Sequence, residues 1–310
     1  MKKRIAIVGG SSVDIFATSA KPLIDHDSNP GRVRIGFGGV GRNIAENLAY
    51  LKQDVLLIAP FGQDPFSQHM LSDTESAGVD IRHALIAPGA QAPYYISVND
   101  PGGDMAVAIA DLRICDFITP AFLSDKMTVI NRCDAVIADT NIPEESIAYL
   151  VKNAEPPIFC DAVSTSKAMK LVPSLPYLFA LKVNGKEAEA LLGERVTANL
   201  PSATYAAARF HAMGIPHVFI TMGMQGAFYS ANGKGILYKA FQTKTVNTNG
   251  CGDAFAAVGF LGIMQRQEPQ DILRRALAAA AFTAVYDKAV APGLTHLEID
   301  RILHRKRNGI

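Results

Sequence analysis

The chain has 310 residues, 49% of them hydrophobic and 19% charged, and its 30 Lys and Arg against 29 Asp and Glu leave a formal charge of +1. This composition supports a sizeable core and excludes wholesale disorder. It supplies no basic excess to grip a nucleic-acid backbone by counterion release, although one helix end and one Arg still suffice for a small anion.

At the start, Lys2, Lys3 and Arg4 precede an apolar run, 5–8, that is far too short for a signal-peptide core and meets Gly9-Gly10 at once. Residues 5–8, 55–59, 135–138, 157–160, 177–183 and 217–221 read as strands. Several are apolar throughout, the pattern of strands covered on both faces. Helical patterns lie between them. Ile44, Leu48 and Leu51 share one face of a helix starting near Arg42, and Ala254, Ala257, Val258 and Leu261 share one after Gly252. Residues 271–286 are Ala-rich and strongly helical. The longest apolar stretch, 276–286, falls short of the roughly 20 residues of a membrane span. Strand–helix alternation predicts a mainly parallel sheet with helices on both sides.

Two segments, 13–37 and 94–110, break this rhythm by alternating apolar and polar residues, as in Arg32-Val33-Arg34-Ile35. They predict a small sheet inserted into one domain spanning 1–310, with one open face: a lid, or a dimer contact where two such faces meet. Cys115, Cys133, Cys160 and Cys251 are scattered, with no zinc-like spacing, so a reducing cytoplasm is the expected setting.

Four motifs carry chemistry. Gly36-Phe37-Gly38-Gly39-Val40-Gly41 matches GxGxxG literally. The strand before it carries Arg32 and Arg34, and the next strand ends in Ala59-Pro60 rather than an acid, so the dinucleotide reading fails. Adjacent glycines instead suit a tight turn or a close approach of backbone to a ligand, with Asn43 projecting from the first helical turn as an amide able to bridge hydroxyls. In Asn247-Thr248-Asn249-Gly250-Cys251-Gly252-Asp253, small residues ahead of a helix make an anion site from N–H groups and the helix dipole. Asp253 is then an N-cap or a base for a hydroxyl attacking a phosphoryl held by that site. Thr221-Met222-Gly223-Met224-Gln225-Gly226 follows an apolar strand as a plain hairpin turn or a ligand loop at the strand's C-terminal end. Asn184 and Glu187, three apart on a first helical turn, form a capping box or an outer-shell magnesium site. The lack of a Walker A pattern excludes a P-loop kinase.

Together these features resemble the PfkB (ribokinase-like) carbohydrate kinase family. Gly38-Gly39-Val40-Gly41-Arg42-Asn43 looks like its N-terminal signature, Gly250-Cys251-Gly252-Asp253 like its C-terminal one, Asn184 and Glu187 like its NxxE motif, and Asp14 like its sugar-binding aspartate. Order and spacing fit over essentially the whole chain. Within the family, Ser28-Asn29-Pro30-Gly31, the run from Gly38 to Ala45, Ala138-Asp139-Thr140-Asn141 and Asp161-Ala162-Val163-Ser164 are most similar to the pseudouridine-kinase subgroup. Ala162 replaces an expected proline, Asn249 a usual Thr, Cys251 a usual Ala, and Asn247 the aspartate common in ribokinases, which weakens a claim to their monovalent-cation site.

The resemblance implies a three-layer αβα sandwich with a β-sheet lid, and transfer of the γ-phosphoryl of ATP, with Mg2+, to the 5′-hydroxyl of pseudouridine. Asp253 would be the base and Gly250, Cys251 and Gly252 the anion hole. Asp14, Gly38, Gly39 and Asn43 would hold the ribose. Thr221, Gly223, Gly226 and Asn184 would face ATP, and Asn184 and Glu187 would hold the metal's outer shell. Ser12, Tyr95, Asn141, Ser164 and Lys167 are candidates for the base by position. Arg42 would pair with a phosphate or, the favoured role, brace its loop. The partners implied are a nucleoside and ATP, with no nucleic acid and no membrane, and a homodimer through the lid. Ribose or a purine nucleoside as acceptor, or a kinase fold kept as a sensor, remain open.

Overall fold

Alternate residues of the short apolar strands face opposite sides of one sheet, and both sides are buried. In the computed structural model, which describes residues 2–305, the strands are β1 (Arg4–Val8), β2 (Ser12–Ser19), β3 (Gly31–Gly38), β4 (Asp54–Ile58), β5 (Pro60–Phe61), β6 (Leu85–Ile86), β7 (Tyr94–Asn99), β8 (Met105–Asp111), β9 (Ala135–Asp139), β10 (Ile158–Asp161), β11 (Ala180–Asn184), β12 (His217–Thr221), β13 (Ala227–Ala231) and β14 (Lys234–Tyr238). Met1 and 306–310, part of the domain expected from the sequence, lie outside the described residues. The large sheet has the order β14-β13-β12-β11-β10-β9-β1-β4. The pairs from β12 to β4 are parallel, and the β13–β14 hairpin closes one edge antiparallel.

On β1, Ile5 and Ile7 join a core with Ile44, Leu48, Phe255 and Leu273, whereas Ala6 and Val8 join a second core with Ile147, Leu150, Leu181 and Phe210. Helices Val40–Tyr50, Cys251–Met264 and Pro269–Thr283 supply the first core; Glu144–Asn153, Gly185–Leu192 and Leu200–Ala212 supply the second. Each fully buried aliphatic side chain contributes about 1.5–3 kcal/mol, so the three-layer stack follows from two-faced strands. Among the described residues no helix is long and apolar enough to cross a membrane.

β4 lies on one side of β1 and β9 on the other. The winding therefore reverses between β1 and β9, and the crevice beyond their C-terminal ends is where such sheets bind ligands.

The alternating segments form a separate sheet of order β3-β2-β7-β8. Its register builds two apolar ladders across all four strands, Ile35-Ile15-Ile96-Ile109 and Val33-Ala17-Val98-Val107. That face is open: Val33, Val107 and Ile109 are 68%, 54% and 66% exposed. Asp14, Phe16, Arg34 and Tyr95 alternate onto the other face.

Several boundaries differ from the sequence reading, three of them for reasons visible in the chain. The strand expected over 177–183 starts only at Ala180, because Leu175–Tyr177, with Pro176 inside it, forms a 3-10 turn. The helix expected from Arg42 begins at Val40, directly after Gly39 at φ 93°. The helix expected over 271–286 runs Pro269–Thr283, with Pro269 in its first turn.

Candidate active site

The twin-glycine turn sits at the switch point because no other residue fits there. A Cβ on Gly38 would collide with the Asp14 carboxylate, and one on Gly39 with Ser11 and the Gly10 carbonyl. The turn delivers Asn43 to the first turn of helix Val40–Tyr50, where its Nδ2 donates to Asp253 Oδ2 at 2.7 Å. Among the described residues Asn43 Oδ1 is buried without a hydrogen-bond partner, an acceptor left free. Ser12 Oγ donates to Asp14 Oδ1 at 2.6 Å. Burial pushes the Asp14 carboxyl up to about 6, against the Ser12 hydrogen bond and the Arg42 charge.

Across the crevice, Gly250 holds φ 77° at the mouth of helix Cys251–Met264, where a Cβ would collide with the Ala289 carbonyl. The helix has no side-chain cap. Asp253 therefore does not serve as the N-cap, the plainer of its two readings. It is 8% exposed. Burial, then the Asp161 charge, push its carboxyl up to about 7, opposed by the Asn43 hydrogen bond and the Lys182 ammonium.

Sequence reading missed Lys182. This cation, inside the apolar strand β11, ion-pairs with Asp161 Oδ2 at 3.0 Å. Its Nζ lies 3.3 Å from where a Cβ on Gly252 would stand. Burial alone would lower it, but the carboxylates of Asp161, Glu187 and Asp253 hold it above the usual lysine range. A charged residue in a strand otherwise buried on both faces was the available signal. Asp139, seen in the sequence only within a subgroup-like run and given no role there, is buried at the end of β9 and accepts from the N–H groups of Gly10 at 2.9 Å and Asn141 at 2.7 Å, which ties β1 to β9 at the crevice.

Asn184, Thr221 and Gly223 line one cavity of about 500 Å³ together with Lys186 and Arg195. Gly226 does not line it; at φ 110°, its missing Cβ makes room for Tyr238 and Lys239. Asn184 and Glu187 form a complete capping box: Asn184 Oδ1 accepts from the Glu187 N–H at 2.9 Å, and Glu187 Oε2 accepts from the Asn184 N–H at 2.8 Å. Burial raises the Glu187 carboxyl, against the Lys182 charge. The charges of three carboxylates act on that one ammonium, with only Asp161 paired to it, and the adjoining Asn184 and Glu187 side chains supply the amide and carboxylate oxygens that suit the water shell of a magnesium ion. Among the described residues no group of three or more His, Cys, Asp or Glu is placed to hold an ion by itself.

Of the remaining candidates, Lys167 Nζ donates to Asn141 Oδ1 at 2.6 Å. Gly10 packs against that amide, 2.8 Å separating Asn141 Nδ2 from a Cβ built on the glycine. Ser164 stands at the N-terminus of the short helix Thr165–Ala168. Tyr95 lies in the lid beside Phe16, ring centroids 6.4 Å apart, and its hydroxyl meets Met105 Sδ. A second cavity, about 510 Å³, separates the lid edge from the body and is lined by Asp14, Phe37, Arg42, Asn247 and Asn249 among others.

Residues 2–294 match the pfkB family carbohydrate kinase model. The chain is 36% identical over 258 residues to the pseudouridine kinase of Escherichia coli, covering 83% of this chain and 82% of that one. Among solved structures, a carbohydrate kinase from Agrobacterium tumefaciens superposes with a TM-score of 0.84 at 26% identity, covering 98% of this chain and 97% of that one. The Arabidopsis thaliana ribokinase complexed with ribose and ATP superposes at 0.83 with 19% identity, over 98% and 99% of the two chains, and shares the fold. The chain has the ribokinase-like fold and belongs to the pfkB family of carbohydrate kinases, phosphotransferases that act on hydroxyl groups.

Proposed function

We propose that the chain is an ATP-dependent nucleoside kinase that phosphorylates the 5′-hydroxyl of pseudouridine. The observation that carries the reading is Asp253: a buried carboxylate at a positively polarised helix mouth, hydrogen-bonded to Asn43 of the twin-glycine turn. A base whose carboxyl is pushed up to about 7 takes a proton near neutral pH more readily than an ordinary carboxylate. The 36% identity to a pseudouridine kinase supports the acceptor.

In this mechanism Asp14, Gly38, Gly39 and Asn43 hold the ribose hydroxyls, and the unpartnered Asn43 Oδ1 accepts one of them. Asp253 takes the 5′-hydroxyl proton as that oxygen bonds to the γ-phosphorus and ADP leaves. The N–H groups at Gly250–Gly252 stabilise the charge on the transferred group. Thr221, Gly223 and Asn184 serve the nucleotide, and Gly226, outside their cavity, closes the turn that carries Gly223. Bound magnesium would neutralise phosphate charge, with Asn184 and Glu187 in its outer shell. The lid excludes water and limits wasteful hydrolysis. Ser12, Tyr95, Asn141, Ser164 and Lys167 contribute to the base pocket. The enzyme works in the cytoplasm as one domain, and dimerises by covering the two apolar lid ladders.

The test is ADP release with MgATP and a panel of pseudouridine, uridine, ribose, inosine and adenosine. Pseudouridine should have the highest kcat/KM, and uridine, which lacks the N1–H donor, should lose most of it. Higher kcat/KM for ribose or a purine nucleoside would replace the acceptor and keep the kinase. Turnover of none of them would sink the reading.

A further inference from the structure

Phe37-Gly38-Gly39 is the joint between lid strand β3 and helix Val40–Tyr50. One buried cation touches both sides of it. Arg42 is 1% exposed, although a guanidinium is among the groups least often buried. On the body side its Nε donates to Thr74 Oγ1 at 2.7 Å and its Nη2 to Asp73 Oδ2 at 2.7 Å, both on helix Pro65–Ser76. Nη2 also pairs with Glu46 one turn along its own helix. On the lid side the guanidinium lies 5.6 Å from the centroid of the Phe37 ring, whose other neighbour is His69 of helix Pro65–Ser76, at 5.1 Å. The Arg42 N–H bonds the Gly10 carbonyl at 3.1 Å, fixing the turn to the exit of β1.

We infer that Arg42 is a positioning residue that pins the lid joint to helix Pro65–Ser76, so that Asp14 on the lid side and Asn43 on the body side meet one acceptor in fixed register. A lysine cannot reproduce this, because a point charge lacks the planar fork that reaches Thr74, Asp73 and Phe37 at once. Binding energy lost here falls on the acceptor alone, since none of Arg42's partners lines the cavity of Asn184, Thr221 and Gly223.

The inference rests on Asp14 and Asn43 holding the acceptor, and the test separates the two claims. In Arg42→Lys, KM for pseudouridine should rise about tenfold, the loss of one charged hydrogen bond, with KM for ATP unchanged within twofold. Thr74→Val should shift acceptor KM in the same direction and by less. In the ligand-free chain, amide exchange across 38–43 should quicken about tenfold in both variants, while exchange in helix Cys251–Met264 stays put. Unchanged exchange at the joint, or equal rises in both KM values, overturns the inference. Should Arg42→Lys not fold, Thr74→Val decides by the same readouts. Wild-type protein that turns over no panel acceptor refutes the kinase reading, and the exchange measurement still decides this one.

Discussion

A carboxyl held at about 7 by burial and by the Asp161 charge has two opposite consequences. As the proposed base it must be deprotonated, so kcat/KM should fall as pH drops below about 7, a limb read directly in a pH–rate profile. Stability runs the other way. The folded state binds the Asp253 proton more tightly than the unfolded chain, whose carboxyl titrates near 3.8. Stability from this group is therefore full below the unfolded value and is lost as pH rises toward about 7. Asp253→Asn should lower kcat by about 10²–10⁴-fold while raising the melting temperature at pH 8 by roughly 2–4 °C; a variant with near-normal kcat would dismiss Asp253 as the base. Lys182→Met should behave differently, because it leaves Asp161 buried and unpaired. Removing one partner of such a pair costs about 3–5 kcal/mol, measurable by urea unfolding. The sequence made Asp253 and Asn43 visible through their motifs. It showed Asp161 only within a subgroup-like run and hid its partner Lys182, whose pairing with it joins two strands that periodicity reads only as apolar.

At the scale of elements, the two helix starts at the crevice open on glycines held at positive φ where a Cβ has no room. Gly250→Ala would place a methyl against the Ala289 carbonyl at φ 77°. It should cost at least about 1–3 kcal/mol in backbone strain and weaken binding of a non-hydrolysable ATP analogue measured by calorimetry; unchanged affinity would remove the helix mouth from the site of the transferred phosphoryl. The parallel strands were legible because each is short, largely apolar and bounded, and the lid because its period is two; the antiparallel edge strand Lys234–Tyr238, half-exposed and polar at its start, was not. Boundaries were less legible where proline and tertiary contacts decide them. Pro176 closes a turn inside an apolar run, and Pro269 starts a helix two residues before its Ala-rich pattern. The capping box at Asn184 shows why a motif alone leaves a role open: the same two side chains that satisfy a helix end are those a metal's water shell would use.

At the scale of the molecule, the fold class was readable from alternation, but the meeting of Asn43 and Asp253, 210 positions apart, was not. It follows from the winding reversal between β1 and β9 and from the packing of their helices in one core. The open lid ladders lead to a quaternary prediction. If two chains cover these faces, the protein sediments as a dimer, and Val107→Asp with Ile109→Asp should yield monomers; a wild-type monomer at micromolar concentration would reject the lid interface.

The Phe16–Tyr95 pair lies on the site-facing side of the lid, in a chain that contains no tryptophan. An indole installed at Tyr95 would thus be the sole such fluorophore in the protein. Its emission maximum would track the wetness of that one surface, giving an optical gauge of how far the flap stands from the acceptor before and after each ligand arrives.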